Sequence, residues 1–198
     1  MQNVLVLGAH GRIARVATDL FLHATDAHLT LYLRNAKRLH GLGHADRVRI
    51  VEGDVLDRKR LASAMAGQTV VYANLSGPME RQAAGIIAAM KAAAIKRLIF
   101  VSSMGIHGEV PGQPYRSILD PYRDAALAIE ASDLDYTILR PEWLDDDDVV
   151  DYATTQKGQP FAHPTATVSR KSVASLVVKL ATTPGLEVRH SLGVHRPG

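Results

Sequence analysis

Near the start of the chain, Gly8-Ala9-His10-Gly11-Arg12-Ile13-Ala14 has the spacing G-x-x-G-x-x-A. These residue types at this spacing suit one task, holding a pyrophosphate. Gly8 permits a tight turn, Gly11 lets the backbone approach a phosphate, and Ala14 lets a helix lie close to a strand. Free N–H groups in the first helical turn, where Ile13 falls, face the anion along the positive end of the helix dipole. His10 is a further donor to a phosphate, or an exposed loop side chain. The motif is a variant of the dinucleotide fingerprint, and it carries weight only between a strand and a helix.

The residue after the second strand selects the cofactor. An acid there would bind the ribose hydroxyls of NAD, but this chain reads Leu33-Arg34-Asn35. A guanidinium at position 34 can pair with a 2′-phosphate, Arg12 is a second candidate for the same phosphate, and Lys37 and Arg38 add positive charge. The expected cofactor is therefore NADP(H) in preference to NAD(H). Asp54 ends the third strand, where its carboxylate can accept from the adenine amino group or cap an ordinary turn. Asn74 and Ser76 follow the fourth strand and fit the floor under the ribose and pyrophosphate.

These residues need a scaffold that brings strand ends together. Short apolar runs read as strands at Asn3–Leu7, His28–Leu33, Arg47–Val51, Gln68–Ala73, Arg97–Ser102 and Asp135–Leu139. Helical patterns lie between them at Arg12–Leu22, Arg58–Ala66, Met79–Ala94 and Tyr122–Ala131. Strand and helix alternate, which predicts βαβ units, a mainly parallel sheet and a doubly wound α/β architecture. Pro141 is expected to stop regular structure. Residues 142–168 are rich in Pro, Gly, Thr and Asp and read as a variable cap that selects substrate. Ser169 is expected to cap a helix over Arg170–Ala181, with a last strand at Glu187–Val194.

The 198 residues favour a single domain, 1–198, with the composition of an ordinary globular protein (46% hydrophobic, 22% charged). The chain has no cysteine, which excludes disulfides, thiolate nucleophiles and Cys-ligated metal sites. Its nine histidines lack the H-E-x-x-H spacing of a zinc helix, so no metal site is expected. Asp145-Asp146-Asp147-Asp148 reads as a solvated loop, with a magnesium site as the weaker alternative because calcium-loop spacing is missing. The net charge is +3, with +7 in residues 1–100 and −4 in 101–198. A basic first half suits a phosphate-bearing ligand, whereas the lack of a basic helix and of stacking aromatics argues against nucleic acid. No apolar run approaches the roughly 18 residues that span a bilayer, and the N-terminus lacks a signal pattern. A cytoplasmic monomer or homodimer is the default expectation.

Taken in order, GAHGRIA, LYLRN, VEGDVLD, VYANLSG, LIFVSSMGIHGE and DYTILRPEWL resemble the NmrA-like, or NAD(P)H-binding, group of atypical short-chain dehydrogenases/reductases. The resemblance covers roughly residues 3 to 182. It implies a Rossmann fold with the nicotinamide near the ends of strands five and six. By position it implies cofactor contacts from Gly8, Gly11, Arg12, Arg34, Asp54, Asn74, Ser102 and Pro141.

Reductases of this kind use a serine to hold the substrate oxygen and a tyrosine to donate a proton, with a lysine four residues on. Ser102 and Ser103 stand where the serine belongs. The Y-x-x-x-K dyad is absent: Tyr115 is followed four on by Leu119, and Tyr122 by Ala126. Tyr122 is the preferred tyrosine to face the nicotinamide, and His107 is a candidate proton donor or a plain loop histidine. Trp143, the only tryptophan, can stack on a planar substrate or pack in the core. Without the dyad, positioning must do much of the work. This fits an NADPH-dependent reductase of a small acceptor such as a quinone or flavin. It also fits a non-catalytic NADP(H) sensor. An epimerase or dehydratase, which normally needs the tyrosine, is the third reading.

Overall fold

A computed structural model describes residues 2–39, 46–161 and 165–197. Residues 162–164 of the expected cap, and both chain ends, lie outside the described part.

The strands form where apolar runs can be covered on both faces. Strand β1 (Asn3–Leu7) sits at the centre of an eight-stranded sheet, paired in parallel with β2 (His28–Leu33) on one side and β4 (Val70–Ala73) on the other. Beyond β2 lies β3 (Val48–Glu52), and beyond β4 lie β5 (Arg97–Val101) and β6 (Asp135–Pro141), all parallel. Successive side chains of each strand enter opposite cores, as the two-residue period requires. Val4, Val6, Leu29, Leu31 and Ile99 pack on one face, and Leu5, Leu7, Val71, Leu98 and Phe100 on the other.

Helix α1 (Arg12–Ala24) and α5 (Arg170–Thr182) cover the first face. Helices α2 (Arg58–Met65), α3 (Met79–Ala92) and α4 (Asp120–Glu130) cover the second. The N-cap of α5 is Ser169, whose hydroxyl accepts the Ser172 N–H at 2.9 Å, as expected. Helix α4 begins earlier than Tyr122 because Pro121 is compatible with a first helical turn. The strand order 3-2-1-4-5-6, extended by two further strands at His190–His195 and Ala153–Gln156, is the doubly wound Rossmann arrangement.

The end of the chain departs from the sequence reading. Pro141 does not stop the sixth strand; it is the last residue of it, opposite Val194 of β10 (His190–His195). A proline is tolerated at a strand terminus, where no ladder N–H is required of it. Its carbonyl accepts the Met104 N–H at 3.1 Å, which ties the loop after β5 to the strand. The segment after it contains three short strands. Trp143–Asp145 (β7) pairs in parallel with Thr167–Ser169 (β9), and Ala153–Gln156 (β8) closes the sheet antiparallel to β10. Each is three or four residues long, too short for a period-two pattern to stand out from its Thr- and Asp-rich surroundings.

Candidate cofactor and substrate site

Loops turn in opposite directions from the ends of β1 and β4, and a crevice opens between them. The glycine loop forms one wall. Gly8 has φ +76, a left-handed conformation that disfavours side chains, and its carbonyl accepts the Gly11 N–H at 2.8 Å. The first bond of α1 runs from the Arg15 N–H to the Gly11 carbonyl, so the N–H groups of Arg12, Ile13 and Ala14 precede the helical ladder. No side chain caps this helix and no acid sits in its first turn. Ile13 itself is buried in the core, so only its backbone is available to a ligand.

The opposite wall is Asn74. A Cβ on Gly8 would lie 2.2 Å from the Asn74 carbonyl oxygen, and one on Gly11 would lie 2.1 Å from its Nδ2. At Gly8 the obstacle is backbone, which leaves no room for a side chain, whereas at Gly11 it is the end of the Asn74 side chain. Tyr32 braces the other two sides. Its carbonyl accepts the Gly8 N–H at 3.0 Å, and its hydroxyl donates to the Asp54 carbonyl at 2.8 Å. Burial, with help from Asp57 and Asp54, pushes the phenol up to about 12, so it remains a donor at every physiological pH. Tyr32 lies across Gly53, where a Cβ would stand 2.3 Å from the hydroxyl. Sequence reasoning missed this tyrosine, whose polar tip between Leu31 and Leu33 was the available signal.

The crevice so formed has a volume of about 380 Å³ and is lined by Gly8, His10, Gly11, Arg34, Asp54, Asn74 and Ser76 among others. Seven sequence candidates from four loops thus meet in one place. Arg34 and Arg38 stand at one end, exposed, and neither makes an ion pair among the described residues. Asp54 Oδ1 accepts the Leu56 N–H at 2.9 Å, so the carboxylate both shapes its turn and lines the crevice. Narrow glycine approaches, an open helix N-terminus and unpaired guanidinium groups fit a dinucleotide phosphate.

Arg12 is placed differently. It is exposed, is not among the lining residues, and pairs with Asp146. The acidic run is neutralised along its length: Arg170 reaches Asp146 at 2.8 Å, Arg196 reaches Asp147 at 3.2 Å and Lys171 reaches Asp148 at 2.6 Å. It straps the segment after β7 to α1 and α5. Among the described residues no cluster of three or more His, Asp or Glu is placed to hold a metal.

Along the sheet edge, at the ends of β5 and β6, lies a smaller pocket of about 100 Å³. Met104, Val110, Ile118, Pro141 and Trp143 give it apolar walls, and Ser103 and Tyr115 supply hydroxyls. Most of the lining comes from residues 103–119; of the described residues in the segment 142–168, only Glu142 and Trp143 take part. Trp143 is 54% exposed, so it is a rim residue and not core packing. The other catalytic candidates stand behind this wall. Ser102 is buried and its hydroxyl lies 3.5 Å from the Tyr122 carbonyl. Tyr122 packs partly buried against the α4 side of the core. His107 is half-buried, with burial first and then Lys157 and Arg140 holding its imidazole below the usual range.

An ion pair between Arg140 and Glu109 fixes this loop from beneath, both side chains almost wholly enclosed. Arg140 Nε also donates to Ser191 at 3.1 Å, and Glu109 accepts the His107 N–H at 2.9 Å. Burial raises the Glu109 carboxyl, but hydrogen bonds from two backbone N–H groups and the Arg140 charge outweigh it, and the net shift is downward.

A profile of the NAD(P)H-binding family matches residues 8–184. The chain belongs to the NAD(P)H-binding family. It is 44% identical to a Rossmann-fold NAD(P)-binding family protein from Shigella flexneri, with a TM-score of 0.87 over 100% of this chain and 95% of that one. A short-chain dehydrogenase/reductase from Veillonella parvula, solved in complex with NADP, is 31% identical, with a TM-score of 0.89 over 100% and 95% of the two chains. ChuY, an anaerobilin reductase from Escherichia coli O157:H7, shares the fold at 23% identity and a TM-score of 0.83, over 99% and 98%. No functionally curated protein matches the sequence. No helix among the described residues is long and apolar enough to cross a membrane.

Proposed function

We propose that the protein is an NADPH-dependent oxidoreductase that passes hydride to a small planar acceptor such as a quinone or flavin. The observation that carries this reading is the apolar pocket beside the dinucleotide crevice, at the strand ends where the nicotinamide of a Rossmann enzyme lies. Preference for NADPH rests on Arg34 and Arg38, unpaired cations at the end of the crevice where the adenosine 2′-phosphate would sit. The Veillonella relative, 31% identical and solved with NADP, is consistent with this.

When bound, the cofactor supplies the hydride, and the chain's own residues position and enclose the acceptor. Met104, Pro141 and Trp143 exclude water from a flat ring, and the indole can stack on it. Ser103 lines the pocket and is the candidate donor to an acceptor oxygen, for which its hydroxyl turns away from the Met104 carbonyl to which it donates at 3.2 Å. Quinone, NADPH and one proton then give hydroquinone and NADP⁺, with the proton drawn from solvent at the open rim. Tyr122 and His107 act behind the wall. A histidine whose pKa is pushed below 6.5 is mostly neutral at pH 7 and a poor acid there.

The test is NADPH oxidation followed by absorbance with menadione and with FMN, for the wild type and Trp143→Ala. Turnover that drops at least about tenfold in kcat/KM on losing the indole supports the reading. Tight NADPH binding with no turnover across both acceptors would favour a non-catalytic sensor instead.

A further inference from the structure

Helix α3 places a buried polar side chain against the same crevice. Gln82 is only 8% exposed and lines the crevice with Asp54 and Val55. Its Nε2 donates to the Ser76 carbonyl at 3.2 Å. That partner is an acceptor, so it fixes which end of the amide is nitrogen and leaves Oε1 on the other side. Oε1 is buried and has no hydrogen-bond partner. A buried carbonyl oxygen left unpaired is costly, which marks it as an acceptor awaiting a donor.

Its neighbours indicate the donor. A Cβ on Gly85 would lie 3.7 Å from the Val55 carbonyl, so α3 rests on the Asp54–Val55 turn at that point. Gln82 is three residues earlier, on the same helix face. Asp54 has committed Oδ1 to the Leu56 N–H, which leaves Oδ2 as a second acceptor at the crevice. No hydrogen bond takes the Val55 N–H among the described residues. Two acceptors and one N–H donor on residues that line the same crevice match adenine. Its exocyclic amino group carries two hydrogens, and its N1 accepts. A 6-oxopurine presents the reverse, an acceptor at position 6 and an N–H at position 1.

We infer that Gln82 is a specificity-determining residue for the cofactor's base: its Oε1 and the Asp54 carboxylate together accept the adenine amino group and reject a 6-oxopurine. The inference rests on the reading of the crevice as the NADPH site. The test is calorimetric binding of NADPH and of its 6-oxopurine analogue, deamino-NADPH, to the wild type, Gln82→Met and Gln82→Glu. The wild type should bind NADPH at least about thirtyfold more tightly than the analogue, since two hydrogen bonds are lost. Gln82→Met, which keeps the length but removes the acceptor, should narrow that ratio about fivefold to tenfold. Gln82→Glu keeps an acceptor but has no N–H for the Ser76 carbonyl, so it should weaken both ligands while holding the ratio near that of the wild type. A merely structural glutamine would weaken both ligands equally and leave the ratio unchanged, which overturns the inference. Equal binding of the two ligands by the wild type overturns it as well, while leaving the cofactor site intact. Binding of neither ligand removes the cofactor reading and the inference together.

Discussion

Alanine at Gly8 and alanine at Gly11 should break different things, although only two residues separate them in one loop. At Gly8 the backbone is left-handed, φ +76, and a Cβ would stand 2.2 Å from the Asn74 carbonyl oxygen. The conformation costs about 1–2 kcal/mol for an L-residue. The obstacle is backbone at the end of a central strand, so relief requires a shift of about 1 Å, with an overpacking cost of roughly 1–3 kcal/mol. Lower entropy of the unfolded chain returns about 0.4–1 kcal/mol. The net loss is about 2–4 kcal/mol, or a fall in Tm of roughly 5–15 °C for a chain of this size. At Gly11 the φ of −58 is ordinary. The nearest atom is Asn74 Nδ2, the free end of a side chain, at 2.1 Å. The amide can swing aside at a cost under about 1 kcal/mol, but it then intrudes on the crevice, as does the new methyl group. Gly11→Ala should melt within about 3 °C of the wild type and bind NADPH at least about tenfold more weakly. Thermal unfolding of the free proteins and calorimetric titration measure the two effects. A Gly8→Ala variant that melts like the wild type, or a Gly11→Ala variant with unimpaired NADPH binding, would refute the reasoning.

Four further outcomes are expected. Arg34→Asp should shift preference from NADPH toward NADH by at least about tenfold, since charge-assisted hydrogen bonds to the 2′-phosphate are worth about 1.5–3 kcal/mol; the ratio of dissociation constants reports it. Glu109→Gln leaves the enclosed Arg140 without its counter-charge and should cost about 3–5 kcal/mol, read as a lower urea midpoint. His107 and Glu109 both have folded pKa values below their unfolded ones, 6.5 and 4.5, so the unfolded chain binds the extra protons. Their contributions are full above those values and fade as the pH falls, so the urea midpoint should drop between pH 7 and 5.5, and His107→Gln should shrink that drop. Asp146 is itself exposed and the more enclosed Arg170 keeps the Asp145 carbonyl as a partner, so Asp146→Asn should change stability by less than about 1 kcal/mol, and added magnesium should leave the Tm unchanged.

Five of the first six strands were legible because each is a short apolar run buried on both faces and bounded by a turn; β3, which has no fully buried residue, was legible from its β-branched residues. Asn3–Leu7 and His28–Leu33 match the sequence reading residue for residue. The glycine loop was legible because its function restricts residue type at fixed spacing, so Gly8, Gly11, Asn74 and Asp54 could be placed in one crevice before any coordinates. Pro141 misled because the rule against proline concerns the ladder N–H, and the end of a strand needs none. Gln82 was overlooked because glutamine in a helix reads as surface. Its position among the buried Met79, Ala83, Ile86 and Met90 placed it on the apolar stripe, and that was the readable signal. The Arg140–Glu109 pair is thirty-one residues apart in sequence and depends on the loop after β5 folding back over the sheet. No local pattern encodes such a contact. The residues that form the apolar pocket were sought in 142–168 but come mainly from that same loop.

The most direct test of the account is a calorimetric titration of the wild-type protein with NADPH and, separately, with NADH. The account predicts one NADPH bound per chain, at least about tenfold more tightly than NADH. Equal affinity for the two would contradict the role given to Arg34 and Arg38, and binding of neither would contradict the reading of the crevice itself.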